Sequence, residues 1–440
     1  MKKFQTFFFF LFIIITIKAE ELTQNSHNDS LSFAVESPVQ QHSKIKCQAL
    51  LIGGDDLLAK VGKIIKFDLA FTDQLDIDLK KSKSELSPEI LSKLFEKEIS
   101  LFLSLTQKNN NKIKATLKDT SSNTTVFEKE FECNKNNIVF DAHKISDELI
   151  PMLTGERGIC LSSLAYCKML STKQKVICIA DYGCKKEKTV VPTNTINVAP
   201  CWHSKAPVLF YSQFTKTNNR LMSIDLKTLN QKVICSYDGI NMQPSFSEDG
   251  SKAVLCLSGG KNSELYFYDQ VICKKLGKRS FLKLTNNRGT NVSPCLLPDG
   301  NVIFCSDFKT GLPQIFYLNR KTGTTKMLTS GNGYCAAPSY CPKTNSIVYT
   351  RAVNHTFQLF TLNLDNLKEK QLTFNDGNKH EPSPSECGRF IAFSYDYEYK
   401  PGHRSPQVAA LNCNSGKIHI LTTGKEPKSF PRWTKDPIYI

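Results

Sequence analysis

Hydrophobic and polar residues follow two different patterns along this chain of 440 residues. Up to about residue 158 the apolar positions mix the spacing of helices with that of strands. Beyond it they form many short runs separated by turn residues, which is typical of β-strands. The pattern predicts two unlike parts: a small α/β or α+β domain at residues 48–158 and an all-β domain at residues 159–440.

Three helices and three strands are predicted in the first part. Apolar residues between positions 57 and 69 have helical spacing, and Ser87 followed by Pro88 is typical of a helix start. A third helix, at about residues 141–153, precedes Gly155, a residue type that commonly ends helices. The strands are predicted at residues 99–105, 113–117 and 126–133.

An internal repeat occupies the second part. Proline recurs at intervals of 44, 50, 44, 44 and 49 residues, and an apolar or aromatic residue stands two positions after each. The prolines are Pro200, Pro244, Pro294, Pro338, Pro382 and Pro431, and the second series is Trp202, Phe246, Leu296, Tyr340, Pro384 and Trp433. Units of about 40 to 50 residues with four short strands are the signature of a β-propeller blade. The spacing therefore predicts six blades, and we interpret the repeat positions as core packing and turns rather than sites.

The two ends of the repeat region complete one blade between them. Residues 175–181 match a later strand of the repeat unit, but no repeat proline precedes them. Residues 431–433 match the first strand of the unit, but the later strands do not follow them. A C-terminal strand is therefore predicted innermost, with residues 163–191 supplying the outer three. Such closure leaves no long exposed sheet edge. A solenoid, the alternative, needs capping repeats, which these ends do not resemble.

The beginning of the chain has the pattern of an export signal. Lys2 and Lys3 precede an apolar stretch at residues 7–17, and Ala19 precedes a polar, acidic sequence. We predict a signal peptide at residues 1–19, followed by a polar segment at residues 20–47. An uncleaved anchor is the alternative, because Ile17 stands where a small residue is expected before the cut. No later uncharged run approaches 18 residues, which argues against a polytopic membrane protein.

Charge and cysteine content change this picture little. The formal net charge is +16, but lysines are scattered and no arginine-rich stripe indicates nucleic-acid binding. The 16 cysteines include no pair with C-x-x-C spacing, so neither a redox motif nor a zinc knuckle is indicated. Many lie in apolar runs and are interpreted as buried thiols. Cys47 and Cys133, which precede the repeats, could pair, and their spacing leaves that open.

No catalytic motif is present in the sequence. The nucleophile elbow G-x-S-x-G, the P-loop and G-x-G-x-x-G are missing, and His380-Glu381 lacks the second histidine of a zinc helix. We therefore predict no catalytic, cofactor-binding or metal-binding residue and no enzymatic activity. A propeller's remaining concave feature is its channel mouth, built from loops of all blades. The loops at this mouth are the predicted partner-binding site, without individual residues.

Several motifs resemble the TolB family of the Tol-Pal envelope system. The sequence AHKISDELIPMLTGERGI at residues 142–159, followed by SLAYC at residues 163–167, is similar to the family's junction between its two domains. The turns PSFSEDG (244–250) and PCLLPDG (294–300) and the end PRWTKDP (431–437) are similar as well. The resemblance covers roughly residues 48–440 and implies a TolB-type propeller.

This resemblance implies a non-enzymatic periplasmic coupling protein. Its channel mouth would bind the peptidoglycan-associated lipoprotein Pal, which would make the protein peripheral to the outer membrane, and it would couple to inner-membrane Tol proteins. The implied role is outer-membrane integrity and constriction during cell division. Residues 20–43 do not match the family segment that engages TolA, so that interaction stays open.

Two alternatives remain beside this interpretation. One is a stand-alone periplasmic propeller that binds a glycan or small ligand in its channel. The other is the propeller of a peptidase, which would need a hydrolase domain with a serine nucleophile elbow. The absence of that motif, and the end of the sequence at Ile440 within its last predicted blade, disfavour the peptidase.

Overall fold

The computed structural model describes residues 44–434, apart from residues 55, 110, 259–261 and 331–332. The predicted signal peptide (1–19) and the predicted polar segment up to residue 43 lie outside the described residues. Among the helices that are described, none is long and apolar enough to cross a membrane.

The N-terminal domain is a five-stranded mixed sheet with three helices. Its strands are β1 (Ile45–Ile52), β2 (Leu75–Ser82), β3 (Leu101–Asn109), β4 (Lys112–Asp119) and β5 (Thr125–Glu132), and its helices are α1 (Asp56–Phe71), α2 (Pro88–Glu96) and α3 (Ile138–Thr154). The strand order is β2-β1-β3-β4-β5, with β1 parallel to both neighbours and the other pairs antiparallel. The helices coincide with the three predicted ones. The sequence pattern predicts neither β1 nor β2, and β1 begins within the segment predicted to be polar.

Helices cover both faces of this sheet because successive strand residues point to opposite sides. Ala49 and Leu51 of β1 belong to the core formed with α1 and α3. Leu50 and Ile52 pack on the other side, against Leu91 of α2. A strand that is buried on both faces reads as a continuous apolar run, which explains why periodicity alone does not identify β1.

The second domain is a six-bladed β-propeller. Blade 1 contains β6 (Ser163–Ser171), β7 (Gln174–Asp181) and β8 (Glu187–Val191). Blade 2 contains β9 (Ile196–Trp202), β10 (Val208–Phe214), β11 (Asn219–Asp225) and β12 (Gln231–Cys235). Blade 3 contains β13 (Asn241–Phe246), β14 (Lys252–Leu257), β15 (Glu264–Asp269), the helix α4 (Gln270–Leu276) and β16 (Leu282–Lys283).

The remaining blades repeat this four-stranded antiparallel order. Blade 4 contains β17 (Asn291–Leu296), β18 (Val302–Ser306), β19 (Gln314–Leu318) and β20 (Thr325–Met327). Blade 5 contains β21 (Cys335–Cys341), β22 (Ser346–Val353), β23 (Thr356–Asn363) and β24 (Glu369–Gln371). Blade 6 contains β25 (Lys379–Pro384), β26 (Phe390–Lys400), β27 (His403–Asn412) and β28 (Ile418–Ile420).

A last strand, β29 (Lys428–Trp433), closes the ring. It pairs antiparallel with β6 and is the innermost strand of blade 1. Beyond it, the hydroxyl of Thr434 accepts a hydrogen bond from the Ser163 amide at 2.9 Å. The predicted fold class, an α/β domain followed by a six-bladed propeller closed by its two ends, is confirmed.

The cysteines form no disulfide. All sixteen lie within the described residues and all are free, including Cys47 and Cys133, which are both buried. The disulfide between Cys47 and Cys133, which their spacing in the sequence left open, is therefore not formed. Burial raises the pKa of the Cys47 thiol to about 12, so it stays protonated at neutral pH. Such thiols behave as small apolar side chains, as in the run around Cys305.

Candidate partner-binding site in the propeller channel

The inner strand of every blade contains the same bulge. Just before each repeat proline one residue has a left-handed backbone, with φ between 51° and 58°. These residues are Ala199, Gln243, Ser293, Ala337, Glu381 and Phe430. The register of each inner strand with its neighbour shifts at this point. Non-glycine residues rarely adopt this conformation, so its recurrence indicates a channel wall whose shape is imposed by the surrounding ring.

A ring of apolar and aromatic side chains follows these bulges. The channel they enclose has a volume of about 3500 Å³. Its lining includes Trp202, Phe246, Leu296, Tyr340, Pro384 and Trp433. The repeat pattern favours core packing for these positions, but the structure places all six on the channel wall. Only Leu296 and Trp433 among them are also buried.

Hydrogen bonds join neighbouring inner strands across the blade boundaries. The Trp202 indole Nε1 donates to the Arg432 carbonyl at 2.9 Å, and the Leu296 amide donates to the Ser245 hydroxyl at 2.9 Å. Further bonds of this kind run from Cys201 Sγ to the Pro244 carbonyl, from Cys295 Sγ to the Pro338 carbonyl and from the Trp433 amide to Ser383 Oγ. These bonds fix the blades against one another, so loops at the channel ends start from a rigid frame.

Blade 6 differs because its left-handed residue is a glutamate. The Glu381 carboxylate accepts hydrogen bonds from the Phe430 amide at 2.7 Å and from the Ser394 hydroxyl at 2.5 Å. Burial raises the pKa of Glu381, and these two donors oppose that effect. The Arg432 guanidinium donates to the Glu381 backbone carbonyl at 3.1 Å. Glu381 therefore ties blade 6 to the closing strand β29, which is a structural use of its carboxylate.

The channel has two unlike ends. Because the strands of a blade are antiparallel, the turns after its first and third strands lie at one end and the other connections lie at the opposite end. The α/β domain packs at the first end, where Phe71 contacts Phe390 with ring centroids 5.0 Å apart. We call this end the domain-side mouth. The other end, which includes residues 172–173 and 215–218, is called the open mouth.

Asp73 is the centre of the junction between the two domains. It follows α1, its side chain is only 3% exposed, and four propeller side chains contact it. They are Asn412 (3.1 Å), Ser415 (2.9 Å), Lys417 (3.0 Å) and His419 (2.9 Å). Burial alone raises the pKa of Asp73, but the hydrogen bonds from His419, Lys417 and Ser415, together with the charge of His419, outweigh it and lower the pKa to about 2.

A second buried ionic group lies at the same junction. His143 on α3 contacts Asp68 on α1 through Nδ1 at 2.8 Å, and its Nε2 lies 3.7 Å from Asp181 of blade 1. The Tyr182 hydroxyl, also from blade 1, donates to Asp68 at 2.7 Å. Burial alone lowers the pKa of His143, but the carboxylates of Asp181 and Asp68 outweigh it and raise the pKa to about 9. The junction therefore contains a histidine held protonated at neutral pH by one carboxylate from each domain.

Charge is distributed unevenly around the open mouth. Blades 1 and 2 contribute four basic residues to its lining, whereas blades 4 and 6 contribute acidic ones. The basic residues are Lys173, Lys175, Lys216 and Arg220, and the acidic ones are Asp307 and Asp396. Such a separation favours one orientation of a charged partner over others. In the described part of the chain, no group of three or more His, Cys, Asp or Glu side chains is arranged to hold a metal ion.

Comparisons with known proteins agree with this architecture. A family model described as the TolB beta propeller domain matches residues 151–352. The propeller of this chain is therefore similar to the TolB beta propeller domain. The resemblance seen in the sequence motifs is thereby confirmed.

Individual TolB proteins match more of the chain. The Tol-Pal system protein TolB of Francisella tularensis subsp. mediasiatica (strain FSC147) is 26% identical over 308 residues, covering 66% of this chain and 69% of that protein. The Tol-Pal system protein TolB of Helicobacter pylori (strain HPAG1) is 25% identical over 382 residues, covering 81% of this chain and 85% of that protein.

A crystal structure of TolB from Acinetobacter baumannii has the same fold. Its TM-score with this chain is 0.78 at 20% identity, and the match covers 89% of this chain and 97% of that one. The likeness therefore includes the TolB-type α/β domain as well as the propeller.

The sequence indicates the candidate partner-binding site only as a set of loops at the channel mouth. The tertiary structure adds the two unlike ends, the uneven charge of the open mouth and the junction residues. The sequence did contain one signal for the channel wall, because the residue two positions after each repeat proline lines the channel. Nothing in the local sequence indicates that Asp73 contacts Lys417, which is 344 positions away. The same holds for His143 and Asp181, which are nearly 40 positions apart.

Proposed function

We propose that this chain is the periplasmic TolB component of a Tol-Pal system. In this role it binds a Pal-like peptidoglycan-associated lipoprotein at the open mouth of the propeller, and it couples that lipoprotein to inner-membrane Tol proteins. The expected outcome is outer-membrane integrity and envelope constriction at cell division. The protein acts by binding rather than by catalysis, and it needs no cofactor.

The observation that carries this proposal is the open mouth itself. It offers a concave opening with a charged rim, and the contacts with the α/β domain described above all lie at the other end. A closed ring with hydrogen-bonded inner strands presents rim loops at fixed positions, which lowers the entropy cost of binding a partner. The basic side chains of blades 1 and 2 would attract an acidic surface of the lipoprotein.

The junction between the domains supports the coupling part of the proposal. Asp73 and Asp68 of the α/β domain are both held by propeller side chains through buried charged contacts. Force or binding at the propeller would therefore be transmitted to the α/β domain through a stiff connection. Engagement of TolA is not part of the proposal, because residues 20–43 do not match the family segment that engages it.

A capture experiment with two matched variants tests the proposal. The tagged protein is purified in its exported form and incubated with solubilised envelope extract, and bound proteins are identified by mass spectrometry. Arg220→Glu reverses a charge at the open mouth, and Lys205→Glu makes the same change in the same blade at the domain-side mouth. We expect the wild type and Lys205→Glu to recover a Pal-like lipoprotein, and Arg220→Glu to bind it about tenfold more weakly.

The two variants show where on the propeller the partner binds, and the captured molecules show which partner it is. Recovery of the lipoprotein that is weakened only by Lys205→Glu would place the partner at the domain-side mouth. Failure to recover any such lipoprotein, together with specific binding of a sugar or small ligand, would favour the stand-alone propeller instead.

A further inference from the structure

Blade 3 carries an insertion at its outer edge. Twelve residues separate β15 from β16, whereas five or six separate the corresponding strands of the other blades. The insertion includes α4. The Asp269 side chain caps the first turn of this helix by accepting hydrogen bonds from the Val271 and Ile272 amides at 2.9 and 3.2 Å. A capped helix in an otherwise short turn is a defined structure and differs from the plain turns around it.

Apolar side chains of this insertion point into solvent. Val271, Ile272 and Leu276 of α4 are 51–53% exposed, and Leu282 of β16 is 61% exposed. The outer edge of blade 2 adds three more exposed apolar or aromatic residues, Leu229, Val233 and Tyr237. Scattered exposed apolar residues are ordinary on protein surfaces, but a concentration of them at one place indicates an interaction surface.

Direct contacts join the two blade edges into one surface. The Arg279 guanidinium of the insertion donates to the Ile234 carbonyl on β12. The rings of Tyr237 and Phe281 meet edge to face with centroids 6.2 Å apart. We call residues 226–237 and 270–283 together the outer-rim surface. It lies on the outermost strands β12 and β16, at the periphery of the ring and away from the channel.

The outer-rim surface is strongly basic. Its two segments contain seven lysine or arginine residues and no aspartate or glutamate. The basic residues are Lys227, Lys232, Lys274, Lys275, Lys278, Arg279 and Lys283. Asp225, Asp238 and Asp269 border the two segments, and Asp225 and Asp269 accept hydrogen bonds from backbone amides of the following turn. Lys283 lies 3.6 Å from the buried Glu264, so the other six basic residues supply the charge.

We propose that the outer-rim surface docks this protein on an anionic phospholipid bilayer. The exposed side chains of α4 would enter the boundary between headgroups and acyl chains, and the surrounding lysines would pair with headgroup phosphates. This inference goes beyond the proposed function, because it concerns a different surface and a different class of partner.

The side-chain chemistry favours lipid over an acidic protein. Protein interfaces derive most of their energy from tryptophan, tyrosine and arginine, whereas valine and leucine are under-represented among their strongest contacts. Here the protruding residues are mainly valine, isoleucine and leucine, and the charge is mainly lysine. The arginine of the surface, Arg279, is already engaged by a backbone carbonyl. Exposed aliphatic residues surrounded by lysine are typical of helices that lie on anionic membranes.

Vesicle flotation tests the proposal. The exported form of the protein is mixed with vesicles of phosphatidylglycerol and phosphatidylethanolamine, or with vesicles of phosphatidylcholine alone. Each basic residue near an anionic bilayer strengthens binding about fivefold, so Lys274→Glu with Lys275→Glu is expected to weaken binding at least 25-fold. The matched control, Lys321→Glu with Lys326→Glu, makes the same change at the equivalent turn and outermost strand of blade 4 and is expected to change binding less than about twofold.

Ile272→Trp provides a second measurement that does not depend on charge. The natural tryptophans, Trp202 and Trp433, line the channel, so the introduced indole reports on the outer rim. Its emission is expected to move to shorter wavelength with anionic vesicles and to stay unchanged with neutral ones.

Three results would overturn the proposal. They are equal binding to both kinds of vesicle, equal loss of binding in the two charge variants, and no vesicle binding at all. The last result would instead favour an acidic protein as the partner of this surface.

Discussion

The carboxylate of Asp73 should hold the two domains together, and Asp73→Asn removes its charge with little change in shape. Asp73 has a left-handed backbone with φ of 60°, a conformation that asparagine tolerates better than most residues. Replacement by alanine would add backbone strain to the loss of charge. The asparagine variant therefore isolates the electrostatic contribution.

The size of the effect follows from the pKa of Asp73. Its lowering from an ordinary value of 3.8 to about 2 means that the folded protein favours the charged form by about 2 kcal/mol, because one pKa unit corresponds to about 1.4 kcal/mol. Because the pKa in the folded state is depressed, this stabilisation is present above pH 3.8 and is lost as the pH falls towards 2. Asp73→Asn should therefore lower the free energy of unfolding by about 2 kcal/mol near neutral pH, and the difference from the wild type should shrink below pH 3.8.

Two spectroscopic probes can follow this unfolding separately. The two tryptophans, Trp202 and Trp433, are both in the propeller, so their fluorescence reports on that domain. Far-ultraviolet circular dichroism near 222 nm is dominated by helices, which lie mainly in the α/β domain. In a denaturant titration we expect the Asp73→Asn variant to lose the helical signal at a lower denaturant concentration than the wild type, with a smaller change in the fluorescence midpoint.

A surface carboxylate in the same domain provides the control. Asp78 pairs with Lys80 at 2.9 Å, but both side chains are more than half exposed. Exposed pairs contribute little, so Asp78→Asn should change stability by less than about 0.5 kcal/mol. If Asp73→Asn unfolds like Asp78→Asn at neutral pH, or if its deficit persists unchanged below pH 3.8, the electrostatic reasoning about the junction is wrong.

Two further predictions concern the ring and the buried histidine. Removal of residues 426–440 deletes β29 and should open the propeller. Calorimetry would detect this opening as the loss of the propeller's cooperative unfolding transition. A truncated protein that is fully stable would refute closure of the ring by this strand. His143 has a pKa raised from 6.5 to about 9 in the folded state, so its stabilisation of about 3 kcal/mol is complete below pH 6.5 and is lost as the pH rises through 9. Wild-type stability should therefore decline over that range, and His143→Gln should be less stable at pH 6.5 and show a flatter profile; equal slopes would contradict the assignment.

The architecture of the propeller could be predicted because its repeat is local in sequence. Each blade is made from consecutive strands, and its short turns leave regular spacings between Pro200, Pro244 and the later prolines. Closure was also predictable, because residues 163–191 lacked an inner strand and residues 431–433 lacked a blade. The sheet of the α/β domain was less accessible: β1 is covered on both faces, so its apolar run carries no period of two.

The candidate site was less predictable than the fold. A propeller mouth is built from loops of different blades, so the side chains that share it are far apart in the chain. Lys173 and Arg220 belong to neighbouring blades, while Asp396 on the same mouth follows them by more than 170 residues. Local sequence therefore indicates that a mouth exists, but not which residues surround it.

By itself, the sequence determined the two-part organisation, the number of blades and the way the ring closes, because each depends on spacing and hydrophobic periodicity along the chain. Only the tertiary structure decided which charges meet. Asp73 contacts His419 across 346 positions, and Tyr182 reaches Asp68 across 114. Such contacts arise when separately folded units pack together, and burial then changes the protonation of the groups enclosed. No local pattern records that environment.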